Sequence, residues 1–277
     1  MRMGICSFSF HRTFAAGKMD ICSYIQTCRD LGCTQLDPWN AHLSLAASGA
    51  ETLFAGRNPS QAKLEPPSDE AFIDRVKATA AAAGLPFGCI AMDGCYIYAP
   101  EESARDVNRK RAYRWLDIAG QLGATQARID AGGPPEMPDE AFRVIVAGYK
   151  DLIARGRDKG VEILMENHWG PSTNPDNVLK LLDALTGLHF LFDTHNWIKE
   201  RQQEGWDRCA SRARACHVKT FAFDDLGNET SIDLKPAFDL LNTSGFAGAW
   251  GVESVPRDGD ELRGAKQTIG LIRRWGR

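Results

Sequence analysis

The stretch Val161–Asn167, VEILMEN, decides how the fold of this chain is interpreted. Its apolar run is too short for a typical helix and ends in a carboxylate, Glu166, which is soon followed by the breakers Gly170 and Pro171. An apolar run of this length between turn signals is typical of a buried parallel strand. We therefore predict a strand whose carboxyl end opens into a functional site.

Three later segments repeat this arrangement of an apolar run that ends in a polar side chain. LHFLFD ends at Asp193, ARACH ends at His217, and AWGVE ends at Glu253. Successive run ends are 27, 24 and 36 residues apart, close to the roughly 30 residues that one strand-helix-strand unit needs. The repeat predicts a parallel sheet built from strand-helix units.

The whole chain contains eight predicted strands, each followed by a helix. The predicted strands cover residues 3–9, 33–37, 86–92, 125–129, 161–167, 188–193, 213–218 and 246–253. The predicted helices cover residues 20–31, 68–83, 101–122, 138–159, 174–185, 200–211, 234–242 and 260–275. Eight alternating units predict an α/β fold, a single (β/α)8 TIM barrel domain over residues 1–277. A doubly wound open sheet is the alternative, but SFSFHRTF after the first strand lacks the glycine-rich turn of that fold.

The connection after the second predicted strand, about residues 38–67, is unusually long. Connections longer than about 12 to 15 residues are generally functional or disordered. This one carries apolar side chains that can pack, namely Trp39, His42, Leu43, Leu45, Leu53 and Phe54. We expect an ordered flap or a subunit contact, and with it a homo-oligomer.

Composition restricts the class of protein and its partners. The chain has 277 residues, 43% of them hydrophobic and 25% charged, with a formal net charge of −3. These are ordinary globular values, and the charge offers no general attraction for nucleic acid or for an anionic membrane. The eight cysteines form no CxxC pair, and no apolar run approaches the length of a membrane span. We expect reduced cysteines, no nucleic-acid or membrane partner, and a cytoplasmic location.

The four run ends together suggest a metal site. Carboxyl ends of parallel strands meet at one rim of a barrel, so Glu166, Asp193, His217 and Glu253 are expected to converge. Each residue alone has an ordinary explanation: a carboxylate can cap a helix or pair with an arginine, and the histidine can be a core residue. Their repetition in four successive units favours one divalent ion. Three oxygen ligands and one nitrogen suit Mn, Mg or Co, and Zn is also compatible.

This metal site predicts chemistry next to a carbonyl group. A divalent ion polarises a carbonyl and stabilises the enediolate that remains when the neighbouring proton departs. Glu166 and Glu253 are the expected catalytic acid-base pair, and Asp193 and His217 are expected to act mainly as ligands. The expected substrate-binding residues are His168, His195, Asn196, Lys219, His11 and Trp39. Each of these six also has a structural explanation, such as a capped turn, a surface ion pair or packing under the long connection.

These residues carry a resemblance to a known family. ENHWGPSTNPDNVLKLL, FDTHNW, HVKTFAFDDLGNETSID, GVES and GAKQTIGLIRR resemble the xylose isomerase-like TIM-barrel superfamily, most closely its sugar phosphate isomerase/epimerase group. In that family a Glu, Asp, His, Glu quartet binds a divalent metal, and both glutamates transfer protons. By resemblance the quartet maps onto Glu166, Asp193, His217 and Glu253. The ketose 3-epimerase branch carries an arginine six residues beyond the histidine, where this chain has Phe223.

The sequence leaves four functions to compare. The first is a metal-dependent isomerase or epimerase that acts on a sugar or polyol derivative. The second is a metal-dependent lyase or dehydratase that acts on a keto sugar, an inosose or an oxidised glycoside. The third, a DNA-cleaving phosphodiesterase, would need a histidine-rich three-metal cluster and a basic face, and the six histidines and the net charge of −3 argue against it. The fourth is a sugar-binding protein without catalysis, which the complete quartet disfavours.

Overall fold

A computed structural model describes residues 1–44 and 64–277 of the chain. Seven parallel strands form one sheet in the order β1-β7-β6-β5-β4-β3-β2. The strands are β1 (Arg2–Ile5), β2 (Cys89–Met92), β3 (Gln126–Ile129), β4 (Glu162–Glu166), β5 (Leu188–Asp193), β6 (Ala213–Thr220) and β7 (Ala249–Ser254). The predicted α/β class and parallel sheet are therefore confirmed. Most of the long connection lies outside the described residues, so its role as a flap or subunit contact stays a prediction.

Helices follow the strands as the alternation predicts. They are α1 (His11–Ala15), α2 (Ile21–Asp30), α3 (Asn40–Leu43), α4 (Glu70–Ala83), α5 (Glu102–Leu122), α6 (Asp139–Asp158), α7 (Pro175–Ala184), α8 (Gln202–Cys209), α9 (Lys235–Thr243) and α10 (Glu261–Trp275). Within the described ranges, no helix combines the length and apolarity needed to cross a membrane.

Local sequence signals fix where several helices begin and end. Asp20 accepts a hydrogen bond from the Ser23 backbone at the start of α2, and the Ser23 hydroxyl accepts one from the Asp20 backbone. This reciprocal pair satisfies two N–H groups that the first helical turn leaves unpaired. Asn174 caps α7 by accepting a hydrogen bond from the Asp176 backbone N–H, with Pro175 in the first turn. Gly84 ends α4 in the left-handed conformation, with φ +68°.

The predicted second strand, residues 33–37, is reduced to two isolated parallel bridges. Asp37 pairs with Cys6 next to β1, and Leu36 pairs with Phe87 next to β2. Two features prevent a longer ladder: Pro86 has no N–H to donate, and the Asp37 N–H bonds instead to the Tyr24 hydroxyl. The segment nevertheless lies between the two outer strands of the sheet and contacts both.

The two faces of the sheet bury different sets of side chains. In β5, Phe190 and Phe192 join the large core formed with the surrounding helices. Leu191 lies on the opposite face and packs with Leu164 and two small residues from other strands, Cys89 and Ala215. This alternation follows from the two-residue period of a strand. All eight cysteines are free, and seven of them are buried.

The Asp37 side chain occupies space that two glycines leave open. Asp37 is 4% exposed, and its Oδ1 accepts hydrogen bonds of 2.8 Å from the Cys89 backbone and from Gln35. A Cβ at Gly4 or at Gly88 would collide with the Asp37 carboxylate. The contact between residues 36–37 and the outer strands therefore requires glycine at both positions.

We expect the Gly4→Ala substitution to lower the free energy of unfolding by about 1–3 kcal/mol, because the added methyl group must displace the buried Asp37 carboxylate. Urea denaturation measures this change. Gly270→Ala is the control, since a Cβ at that position of α10 meets nothing within 4 Å and should leave stability unchanged or slightly raised. Equal stability of both variants would contradict this role of Gly4.

Candidate metal and substrate site

The four predicted ligands come together at the carboxyl end of the sheet. Glu166 ends β4, Asp193 ends β5, and His217 and Glu253 lie near the ends of β6 and β7. One ligand atom of each residue lies within 4.8 Å of the corresponding atoms of the others. All four residues are buried, with exposed fractions of 6% or less. The register of the sheet, in which Asp193 pairs with His217 and His217 pairs with Gly251, produces this convergence.

The Asp193 carboxylate has one oxygen held by the backbone and one oxygen left open. Its Oδ1 accepts hydrogen bonds from the backbone N–H groups of His195 at 2.7 Å and Asn196 at 2.9 Å. The Asn167 side chain bonds to both the N–H and the carbonyl of Asp193, which ties the end of β4 to the end of β5. Among the described residues, Asp193 Oδ2 is buried and has no hydrogen-bond partner.

The electrostatics of the cluster favour added positive charge. Burial opposes protonation of His217, but Glu166 and Glu253 raise its pKa to about 10. The His217 Nδ1 lies 3.0 Å from Glu166 Oε1 and 2.9 Å from Glu253 Oε2. Burial raises the pKa of Asp193 to about 7, and Lys219 only partly opposes this effect. Three buried carboxylates around one imidazole therefore hold a proton strongly, as a site built for a cation would.

A divalent ion fits this donor set. The open Asp193 Oδ2 is a buried acceptor that lacks a partner, and such an atom costs free energy unless a cation or a donor satisfies it. Three carboxylates and one imidazole are donors that suit hard and borderline ions. A bound ion would also replace the proton that His217 otherwise takes from its carboxylate neighbours.

Arg128 is the important site residue that sequence reasoning missed. It lies in β3, is 4% exposed, and its Nε is 2.9 Å from Glu166 Oε2. Its Nη1 donates hydrogen bonds to Asp93 Oδ1 at 2.6 Å and to Asp130 Oδ2 at 3.0 Å. The available signal was an arginine inside the short strand QARI, where a charged side chain is unusual unless it is paired.

A cavity of about 320 Å³ lies beside the quartet. Four aromatic side chains form much of its wall, namely Phe8, Trp39, Trp169 and Phe221. The polar groups that line it include Asp93, Arg128, His168, Lys219 and Glu253. The volume and the combination of apolar walls with a few polar groups are typical of a small-molecule site.

Three of the six predicted substrate-binding residues line this cavity: His168, Lys219 and Trp39. His168 Nδ1 lies 3.0 Å from Asp130 Oδ2, and Lys219 donates a hydrogen bond of 2.7 Å to Glu253 Oε1. The Trp39 indole N–H donates to an oxygen of Asp93 at 2.9 Å. The structure thus links each of these three side chains to an acid of the site.

The other three predicted contacts, His11, His195 and Asn196, are not among the residues that line this cavity. His11 stacks on Phe8 with ring centroids 4.6 Å apart. His195 packs edge-on against Phe221 at 4.8 Å. Asn196 contributes a backbone N–H to Asp193, which places it next to a predicted ligand. Direct contact of these three residues with a substrate stays a prediction.

Comparisons with known proteins agree with this fold. Residues 40–275 match a family model described as the xylose isomerase-like TIM barrel. The chain is similar to the E. coli 3-keto-D-glucoside 4-epimerase structure, with 13% identity, 99% coverage of both chains and a TM-score of 0.72. It is also similar to D-allulose 3-epimerase from Methylomonas sp., with 14% identity, 99% and 97% coverage and a TM-score of 0.71.

A third similar structure is a dehydratase rather than an epimerase by name. It is the probable 3-DHS dehydratase of Bacillus anthracis, with 12% identity, 98% coverage of this chain, 99% of that chain and a TM-score of 0.69. At such identities the likeness shows a shared fold. No curated protein sequence gives a significant match.

Gly251 provides a test of the quartet geometry, because it lies opposite His217 in the neighbouring strand. A Cβ at Gly251 would lie 2.6 Å from His217 Cδ2 and 2.8 Å from the Cys216 carbonyl oxygen. We expect Gly251→Ala to shift the imidazole and to weaken Mn²⁺ binding by about 10- to 100-fold. Equilibrium dialysis measures the affinity, with Gly270→Ala as a matched control. An unchanged dissociation constant would refute the placement of His217 as a ligand.

Proposed function

The chain belongs to the xylose isomerase-like TIM barrel family, and we propose that it is a divalent-metal-dependent sugar isomerase or epimerase. Its substrate is a small sugar or polyol derivative with a carbonyl group, and the reaction begins with removal of the proton next to that carbonyl. The ion is one Mn, Mg or Co per chain, and Zn also fits the donor set. The protein acts in carbohydrate metabolism in the cytoplasm.

A closed eight-stranded barrel over residues 1–277 is part of this proposal. The family match and the two bridges at Leu36 and Asp37 support it, because those bridges connect both outer strands of the seven-stranded sheet. In a barrel the carboxyl ends of all strands surround one site. The connection at about residues 38–67 then follows the second strand, and we propose that the protein forms a homo-oligomer.

One observation carries the functional proposal: four buried side chains from successive parallel strands place their ligand atoms within 4.8 Å of one another. Glu166, Asp193, His217 and Glu253 are separated along the chain, and their convergence supports a shared site. An isolated structural carboxylate would be satisfied by its own partners. Here Asp193 Oδ2 has no hydrogen-bond partner among the described residues, which supports a bound cation.

The positions of the quartet residues suggest which of them bind the ion and which transfer protons. A divalent ion held by Glu166, Asp193, His217 and Glu253 would supply Lewis acidity to a substrate carbonyl oxygen. Glu166 and Glu253 approach the His217 Nδ1 from two sides, at 3.0 and 2.9 Å. Two carboxylates in this arrangement can remove a proton from a carbon and return one to it.

Lys219 and His168 then bind and orient the substrate. Lys219 holds Glu253 through the 2.7 Å hydrogen bond and also lines the cavity, so its ammonium group can donate to a substrate oxygen. His168 is fixed by Asp130 through Nδ1 at 3.0 Å and lines the same cavity. The aromatic walls exclude water from the reacting carbons, which strengthens these electrostatic contacts.

A lyase or dehydratase is the second candidate, and Phe223 favours keeping it. The ketose 3-epimerase branch has arginine where this chain has Phe223. Phe223 pairs with Glu229 in a short antiparallel bridge, and its side chain packs on the main core. It therefore supplies no cation to a ketose. The similar structures include two epimerases and a probable dehydratase. The Lys219 ammonium group beside Glu253 could donate a hydrogen bond to the oxygen of a departing hydroxyl or aglycone.

A solvent-exchange experiment tests the proposed chemistry. With added Mn²⁺ in D2O, we expect deuterium to enter a keto sugar, inosose or 3-keto glycoside next to its carbonyl, and EDTA to abolish this exchange. Glu253→Gln should slow the exchange by about 10²- to 10⁴-fold, because an amide cannot accept the proton. Glu70→Gln, an exposed glutamate at the start of α4, is the control.

The mass of the product separates the candidates. Conserved mass apart from deuterium indicates isomerisation or epimerisation, whereas loss of water or of an aglycone indicates a lyase. Ligand binding that is insensitive to Glu253→Gln, with no exchange in any of these substrates, would instead favour a sugar-binding protein and would overturn the enzyme proposal.

A further inference from the structure

We infer that the Arg128 guanidinium occupies a second cation position beside the quartet, and that it fixes the metal content of the site at one ion per chain. The inference rests on the proposed metal-binding function of the quartet. It concerns a different group of acids, formed by Asp93, Asp130 and His168, and the arginine that lies among them.

This second group has the geometry of an ion site. One ligand atom each from Asp93, Asp130 and His168 lies within 4.8 Å of the others. Asp93 and Asp130 are 5% and 0% exposed. Asp130 Oδ1 is buried and has no hydrogen-bond partner among the described residues. The group therefore contains an unsatisfied acceptor as well as two buried carboxylates, and both features favour a cation.

Arg128 supplies that cation. Its Nη1 contacts Asp93 at 2.6 Å and Asp130 at 3.0 Å, while its Nε contacts Glu166 at 2.9 Å. Three carboxylates thus surround one guanidinium that is 4% exposed. Burial alone would lower the pKa of Arg128, but these carboxylates raise it above its ordinary value. The positive charge is permanent and cannot exchange with ions in solution.

Glu166 connects the two cation positions. Its Oε1 faces His217 and the quartet at 3.0 Å, while its Oε2 faces Arg128 at 2.9 Å. A carboxylate shared in this way is the arrangement by which a two-metal site holds ions about 3.5–4 Å apart. Here one of the two positions is filled by a side chain. Arg128 consequently positions Glu166 for the first ion and blocks a second one.

The consequence for chemistry is an asymmetric site. A guanidinium provides charge and directed N–H groups but has no vacant orbital for a substrate oxygen. Because Arg128 also lines the cavity, a substrate meets an exchangeable ion on one side of Glu166 and a fixed hydrogen-bond donor on the other.

The test measures the number of bound ions, using Mn²⁺ alone as the probe. After dialysis against saturating Mn²⁺, we expect the wild-type protein to hold one Mn²⁺ per chain by elemental analysis. The variant Arg128→Met should hold two, since methionine removes the charge but retains an unbranched side chain. Electron paramagnetic resonance should then show coupling between neighbouring Mn²⁺ ions. Arg128→Lys keeps the charge and should hold one.

A double variant identifies the second position. Adding Asp93→Asn to Arg128→Met should return the content to one Mn²⁺, because the new site loses a carboxylate. If Arg128→Met is unfolded without metal, Mn²⁺ should restore its circular dichroism spectrum; failure to do so would overturn the inference. A folded Arg128→Met protein that holds only one Mn²⁺ would overturn it as well. Wild-type protein that binds no Mn²⁺ would instead overturn the proposed function.

Discussion

The burial of five carboxylates at one end of the sheet is the constraint on which the site depends. Asp93, Asp130, Glu166, Asp193 and Glu253 are each at most 6% exposed. Charges removed from water are tolerated only when they are paired and hydrogen-bonded. Cationic side chains that lie between the acids meet much of this requirement. Among the described residues, Asp193 Oδ2 and Asp130 Oδ1 have no hydrogen-bond partner.

One arginine and one lysine, each from a different strand, pair with these carboxylates. Arg128 enters the cluster from β3 and contacts three of the acids, and Lys219 enters from β6 and contacts Glu253. His217 lies within hydrogen-bond distance of both Glu166 and Glu253. Removal of any one partner from such a network leaves a buried charge without compensation, which is far more costly than loss of a surface ion pair. The same network at the carboxyl end of the sheet therefore sets the orientation of the two glutamates.

The cavity wall shows how apolar packing and the polar network are joined. Trp39 packs with Phe8 in an edge-on contact at 5.4 Å and donates its indole N–H to Asp93. Trp169 follows His168 directly and lies tilted against its ring at 4.6 Å. Each of these two tryptophans is thus in contact with a polar group of the cavity.

The sequence by itself determined the order of the elements and the quartet. Alternating apolar runs, caps such as Asp20, and polar residues at four run ends are local signals, and parallel pairing brings such ends to one edge of the sheet. The second strand was predicted as continuous, but Pro86 and the Tyr24 hydroxyl reduce it to two bridges. That outcome depends on atoms outside the segment, which its own pattern does not contain.

Only the tertiary structure decided the partners of the quartet. The pattern of β3 gives no indication that Arg128 contacts Asp93 and Glu166, because these residues are distant in sequence and meet only when β2, β3 and β4 lie side by side. The tertiary structure also placed His168 and Lys219 on the cavity and stacked His11 on Phe8. Strand periodicity fixes which face a side chain takes, whereas the distance to a partner on another strand depends on register and rotamer, which only the assembled sheet defines.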